Sequence, residues 1–122
     1  VYSCDHFVFP KYKLGNIHSS TLIEMMYSPR QQKFGRDKYD ALPRQCRECP
    51  YLFACWGECP KNRFTQDEYG EPGLNYLCRG FYKFFDHVAP YMDYMRSQLD
   101  QEQPPAAIMD LLRRDPHHFE DK

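Results

Sequence analysis

Cys46-Arg47-Glu48-Cys49-Pro50-Tyr51-Leu52-Phe53-Ala54-Cys55-Trp56-Gly57-Glu58-Cys59 is the stretch on which the fold turns, four cysteines in the pattern C-x2-C-x5-C-x3-C. Two thiolates two residues apart can face one metal from a tight turn, a spacing found in zinc sites and in iron–sulfur sites alike. The longer intervals are too irregular to fall on one helical face, so the segment reads as a loop wrapped around an inorganic centre. Two more cysteines complete the six, Cys4 far upstream and Cys78 after an eighteen-residue gap. Six thiolates exceed the four that one tetrahedral zinc or one four-iron cube accepts, which leaves two centres sharing them or two thiols spare.

Three disulfides are the competing use, in any of fifteen connectivities. They belong to small secreted domains. Here four of the six are clustered and no charged-then-apolar leader precedes them. Cys78 has its own alternative, since it lies on the apolar face of an expected helix and could serve as core; its spacing after the cluster favours a ligand.

Working outward, 122 residues make one domain's worth of chain. Charge is nearly balanced, 16 Lys+Arg against 17 Asp+Glu, which excludes a nucleic-acid or membrane-surface partner driven by basic excess. Apolar runs are only a few residues long and cannot span a bilayer. Mean hydropathy is -0.80 and aromatics make up 16%, so Tyr and Phe must carry the core. With so little apolar area to bury, a metal site is expected to supply much of the stability. The opening Val1-Tyr2-Ser3-Cys4, with no initiator Met, reads as a piece of a longer protein.

The expected class is α+β. Residues 1–10 read as a strand, and Gly15-Asn16 as the turn of a small N-terminal hairpin. Thr21 with Glu24 forms a capping box for one helix. Ser28, Pro29 and Gln31 start another that Gly35 ends or interrupts. The Gly- and Pro-containing acidic run 67–73 reads as a surface loop. Leu74, Leu77, Cys78, Phe81, Phe85, Val88, Met92, Met95 and Leu99 then recur at helical spacing, a long helix kinked or restarted at Pro90. Residues 106–114 form a short helix before a polar tail. Residues 1–100 are expected as the cysteine-bearing domain and 101–122 as a short C-terminal helix with its tail.

Taken together, the cysteine run and its continuation Pro60-Lys61-Asn62-Arg63 resemble the signature of the SPASM domain, an extension of certain radical S-adenosylmethionine enzymes. Tyr2-Ser3-Cys4-Asp5, Leu14-Gly15-Asn16-Ile17, Ser28-Pro29-Arg30-Gln31-Gln32 and Gly73-Leu74-Asn75-Tyr76-Leu77-Cys78 resemble one branch, the anaerobic sulfatase-maturating enzymes. The likeness covers about residues 1–95.

The resemblance implies an enzyme that converts a Cys or Ser of a sulfatase polypeptide into Cα-formylglycine. S-adenosylmethionine and a radical-generating [4Fe-4S] cluster would belong to an N-terminal barrel in cis, and two auxiliary [4Fe-4S] clusters to the SPASM region. Position by position, Cys46, Cys49, Cys55 and Cys78 correspond to the full ligand set of one auxiliary cluster. Cys4 and Cys59 correspond to half of the other, whose remaining family ligands lie upstream of the position of Cys4. Asp5 stands where the family has a carboxylate proposed as general base. The setting implied is cytoplasmic. This chain contains no C-x3-C-x2-C, so turnover by it alone is not expected, and Glu58 stands where many relatives carry a small residue.

A cluster ligated wholly by thiolates has no open position for Lewis-acid chemistry, which leaves electron transfer or structural support. The alternative of another class is a stand-alone structural module with zinc on the same four cysteines, which a fragment prepared in air would also load. Among the remaining candidates, His6, His18, His87, His117 and His118 show no metal-ligand spacing to the cysteines. Lys61 and Arg63 either pair with cluster charge or sit in water. Phe81, Tyr82, Phe84 and Phe85 are expected as core and cluster shielding, and Phe7, Phe9 and Tyr12 as substrate contacts in the longer enzyme.

Overall fold

A computed structural model describes residues 1–120; Asp121 and Lys122, the end of the expected polar tail, lie outside the described residues. The class is α+β. The chain divides into two compact units, Val1–Arg79 and Gly80–Lys122.

In the first unit the N-terminal hairpin shrinks to a single bridge, Tyr2↔Lys13. Ser3 N donates to Tyr12 O at 3.0 Å and Leu14 N to Val1 O at 2.9 Å, so the reversal falls in residues 4–12 and not at Gly15-Asn16. The reason is local. Phe7 N donates back to Cys4 O, and Pro10, lacking an N–H for a ladder, opens a 3-10 turn at Pro10–Tyr12. That turn drives Phe7 into the core at 9% exposure, edge-on to Tyr12 (4.7 Å) and Phe34 (5.4 Å).

Both expected helix starts form. Helix α1 (Leu22–Met26) carries the full Thr21/Glu24 capping box and buries Met25. In α2 (Pro29–Asp40) Ser28 accepts from Gln31 N, with Pro29 in the first turn. Gly35 does not end it; the Lys33–Asp37 pair spans that position and the helix continues.

The cysteine run is shaped by two single turns, α3 (Arg44–Arg47) and α4 (Leu52–Cys55). The buried Leu42 and Pro43 precede them. The paired strands come later, β1 (Thr65–Gln66) antiparallel to β2 (Pro72–Leu74) with a register irregularity. The acidic run between them is more than a surface loop. Asp67 is only 7% exposed, and its carboxylate accepts N–H groups from Gln45 (3.2 Å), Tyr69 (2.9 Å) and Glu71 (2.8 Å). Glu71 in turn accepts from Arg44 N at 2.7 Å. Pro43, at the N-cap of α3, has no side-chain cap to offer, so distant carboxylates satisfy the free donors of that first turn.

Helix α5 (Cys78–Asp100) runs without a restart through Pro90, and α6 (Ala107–Arg114) follows. In the second unit Ile108 and Phe119 are buried, Phe119 against Tyr91 at 4.5 Å. His118 lies beside Asp115 and His117 beside Glu120 as local contacts within the tail, and the buried Phe119 is what anchors it. Tyr82 and Phe84 are about half exposed, at 46% and 56%, and are not core. No helix among the described residues is long and apolar enough to cross a membrane.

Candidate metal centre

Four of the cysteines sit at the ends of short elements. Cys46 lies in α3, and Cys49 follows one turn later with its N–H on Cys46 O at 3.2 Å. Cys55 ends α4, and Cys78 begins α5. All six cysteines are free thiols, Cys46 buried and the others half-buried. Burial pushes the Cys46 thiol up to about 11, and the neighbouring Cys78, Cys55 and Cys49 add to that shift while Arg63 opposes it. Burial also raises Cys78, again with Cys49 and Cys55 contributing. It raises Cys55 too, although backbone N–H groups of Gly57 and Glu58 pull that thiol the other way.

Cys46, Cys55 and Cys78 therefore lie within electrostatic reach of one another and of Cys49, and ionising those three without a cation is costly. They are not closed down to a single-ion site: among the described residues no group of three or more His, Cys, Asp or Glu is placed to hold one metal ion. The donor set, four soft sulfurs and no oxygen, suits zinc or an iron–sulfur core and no hard cation.

Between Cys55 and Cys59 the backbone is left-handed at three consecutive residues, Trp56 (φ 48°), Gly57 (φ 68°) and Glu58 (φ 55°). Two of these carry a Cβ, so the turn costs energy that neighbouring contacts must offset. Arg63 supplies several. Its guanidinium donates to Gly57 O (3.0 Å), Trp56 O (2.8 Å), Glu58 O (2.7 Å) and Lys38 O (2.7 Å). The Glu58 carboxylate accepts from Asn62 (3.1 Å) and from Asn75 (2.8 Å), which is 3% exposed. Asn75 O takes the Cys78 N–H at 3.0 Å, so Glu58 ties this turn to the segment that starts α5.

Beyond the turn, Cys59 lines a cleft of about 620 Å³ together with Cys4, Asp5, His6 and also Cys55, walled by Phe34 and Trp56. His6 Nδ1 lies 3.2 Å from Cys59 Sγ, and Cys4 Sγ donates to Asp5 Oδ1 at 3.1 Å. The Asp5 side chain is 88% exposed; its carboxyl is held below the usual range first by the Cys4 hydrogen bond and then by His6.

The structure thus brings Cys4, Asp5 and Cys59 to one cleft whose wall also includes Cys55, and Cys55 in turn lies within electrostatic reach of Cys46, Cys49 and Cys78. His6 is a site residue that spacing could not find, because the 53 positions separating it from Cys59 carry no periodic signal. Arg63 is half-buried and clamps four backbone carbonyls, with Cys46, Cys55 and Cys59 within reach of its charge. Lys61 lies over the Phe9 ring at 5.8 Å. Asp67 and Glu71, which hold the Cys46 helix, carry no local signal of that role, because their run has the composition of an ordinary solvated loop.

The family model described as an iron–sulfur cluster-binding domain, SPASM, matches residues 1–50. Relatives extend the likeness past Cys78. Over 113 residues the chain is 66% identical to the serine-type anaerobic sulfatase-maturating enzyme of Bacteroides thetaiotaomicron, covering 93% of this chain and 27% of that enzyme. The serine-type enzyme of Klebsiella pneumoniae is 33% identical over 97 residues, covering 79% and 22%. A solved structure described as native anSMEcpe with bound AdoMet and Cp18Cys peptide matches with a TM-score of 0.57 at 28% identity, over 73% of this chain and 24% of that one. The chain is a SPASM domain of the kind carried by anaerobic sulfatase-maturating enzymes, and it spans about a quarter of the length of the relatives it matches.

Proposed function

We propose that this chain is the auxiliary iron–sulfur module of a longer radical S-adenosylmethionine enzyme that oxidises a Cys or Ser of a sulfatase polypeptide to Cα-formylglycine. The observation that carries this reading is the electrostatically coupled set Cys46, Cys49, Cys55 and Cys78, in a chain 66% identical to a serine-type maturase. These four thiols would hold one [4Fe-4S] cluster. Cys4 and Cys59 would contribute half of the ligands of a second, completed by residues of the longer enzyme.

When bound, such clusters supply one-electron acceptance. The chain's own residues would handle the proton. Asp5 Oδ1 is occupied by the Cys4 thiol and the His6 N–H, while Oδ2, with His6 Nε2 3.9 Å away, belongs to a largely exposed side chain and would take a proton from a substrate thiol or hydroxyl in the cleft. Phe34 and Trp56 would border a peptide lying there. The radical-generating step requires a C-x3-C-x2-C motif that these residues do not contain, so a barrel in cis would provide it. A set of reduced thiols of this kind belongs to the cytoplasm.

Anaerobic reconstitution of the 122-residue chain with ferrous iron and sulfide tests the reading. About four irons and four sulfides per chain with broad brown absorbance are expected. A colourless protein holding one zinc and refusing iron would overturn it.

A further inference from the structure

The guanidinium of Arg63 occupies an unusual place. It is half-buried and makes no ion pair among the described residues, yet it donates four hydrogen bonds to carbonyls. Three of those carbonyls belong to the left-handed turn Trp56-Gly57-Glu58. The fourth, Lys38 O, lies in the last turn of α2, where helix carbonyls lack intrahelical partners. Cys55 ends immediately before this turn and Cys59 begins immediately after it. Cys55 stands at the boundary. It lies within electrostatic reach of Cys46, Cys49 and Cys78 and also borders the cleft that Cys59 shares with Cys4, where Cys59 lies against His6. Burial lowers the Arg63 pKa, and Cys46, Cys59 and Cys55 push it back up, so its charge reaches thiols of both sets.

We propose that Arg63 is a positioning residue that sorts the cysteines, holding the left-handed turn so that Cys55 serves the four-thiol centre and Cys59 serves the Cys4 cleft. The inference rests on the proposed iron–sulfur function. An unclamped turn would relax toward right-handed backbone, which is favoured at Trp56 and Glu58. Cys59 would then compete with Cys55 for the same core.

The test is anaerobic reconstitution of the 122-residue chain, read by iron and sulfide analysis and by electron paramagnetic resonance of the reduced protein. Arg63→Lys keeps the charge and loses the planar fork, so it is expected to hold roughly half or less of the iron of the unaltered chain. It is also expected to show a second reduced-state signal, from centres in which Cys59 has replaced Cys55. Adding Cys59→Ser to Arg63→Lys should return a single signal, a rescue that a general strut would not produce. Iron content and a single signal identical to those of the unaltered chain overturn the assignment. So does a second signal that survives Cys59→Ser, or loss of the helical far-UV spectrum in both Arg63→Lys and Arg63→Gln. If the unaltered chain takes up no iron and sulfide, the proposed cluster function fails and this inference with it; if it loads and Arg63→Lys loads identically, only the sorting role fails.

Discussion

Cys46, Cys55 and Cys78 are shifted first by burial and then by neighbouring thiols of a set that includes Cys49, whereas Cys4 and Cys59 each meet a side chain of different chemistry, Asp5 and His6. In the first group burial and neighbouring thiols push Cys46, Cys55 and Cys78 toward the protonated state, a cost that a multivalent metal core removes when it binds. The second opens onto a cleft with an exposed carboxylate at its mouth. One chain thus places four sulfurs within electrostatic reach and, four residues further along, a sulfur, an imidazole and a carboxylate beside one cleft. What separates them is a backbone turn of unfavourable hand, held by Arg63 and Glu58.

That contrast can be broken experimentally, most severely at the metal. Cys46→Ser should lower iron retention by more than about tenfold, the scale on which even supporting residues of metal sites act, while Cys59→Ser leaves the four-thiol centre loaded. Equal losses in the two variants would erase the distinction. In the unaltered loaded chain, chelation should lower the melting temperature, since the buried apolar set of the first unit amounts to little beyond Phe7, Met25 and Leu42.

Gly57→Ala attacks the divider itself. A Cβ at this φ of 68° is strained and would run into Leu42 Cδ2, itself 1% exposed. A cost of about 2–4 kcal/mol is expected in urea unfolding of the metal-free chain. A wild-type midpoint would show that the turn is not under constraint.

Acid should act on the platform beneath α3. Burial works against the Asp67 carboxylate, yet the N–H groups of Gln45, Glu71 and Tyr69 together with the Arg44 charge hold its pKa below 3.8. A folded value lower than the unfolded one stabilises the fold above the ordinary carboxylate range, and the contribution disappears as pH falls through the folded value. Asp67→Asn should therefore flatten the acid limb of a melting-temperature profile. An unchanged acid limb would remove Asp67 from the support of Cys46. The smallest effect is expected at Thr21→Ala, about 1 kcal/mol from the lost cap. Iron content should not change, because α1 supplies no cysteine.

Legibility in the sequence follows the range of the interactions. Capping at Thr21 and Ser28 is readable because a cap joins residues only three positions apart. The six cysteines and the α+β class are readable from spacing, periodicity and family likeness. The N-terminal reversal is not, because Gly15-Asn16 is a good turn in isolation, while Pro10 and the Phe7 core contact decide where the chain turns back. The acidic run 67–73 misleads for a related reason. Its composition is that of a loop, and its role comes from Gln45 and Arg44, more than twenty positions earlier.

From the sequence alone came the kind of chemistry: soft sulfur donors in number and spacing for iron–sulfur or zinc, no membrane-spanning run, and a carboxylate beside Cys4. Tertiary structure decided which sulfurs share a neighbourhood, that His6 meets Cys59, and that Arg63 spends its donors on carbonyls. The physical reason is that residue type limits which bonds are possible, whereas charge coupling and clamping fall off over a few ångströms and exist only once distant segments are folded against each other.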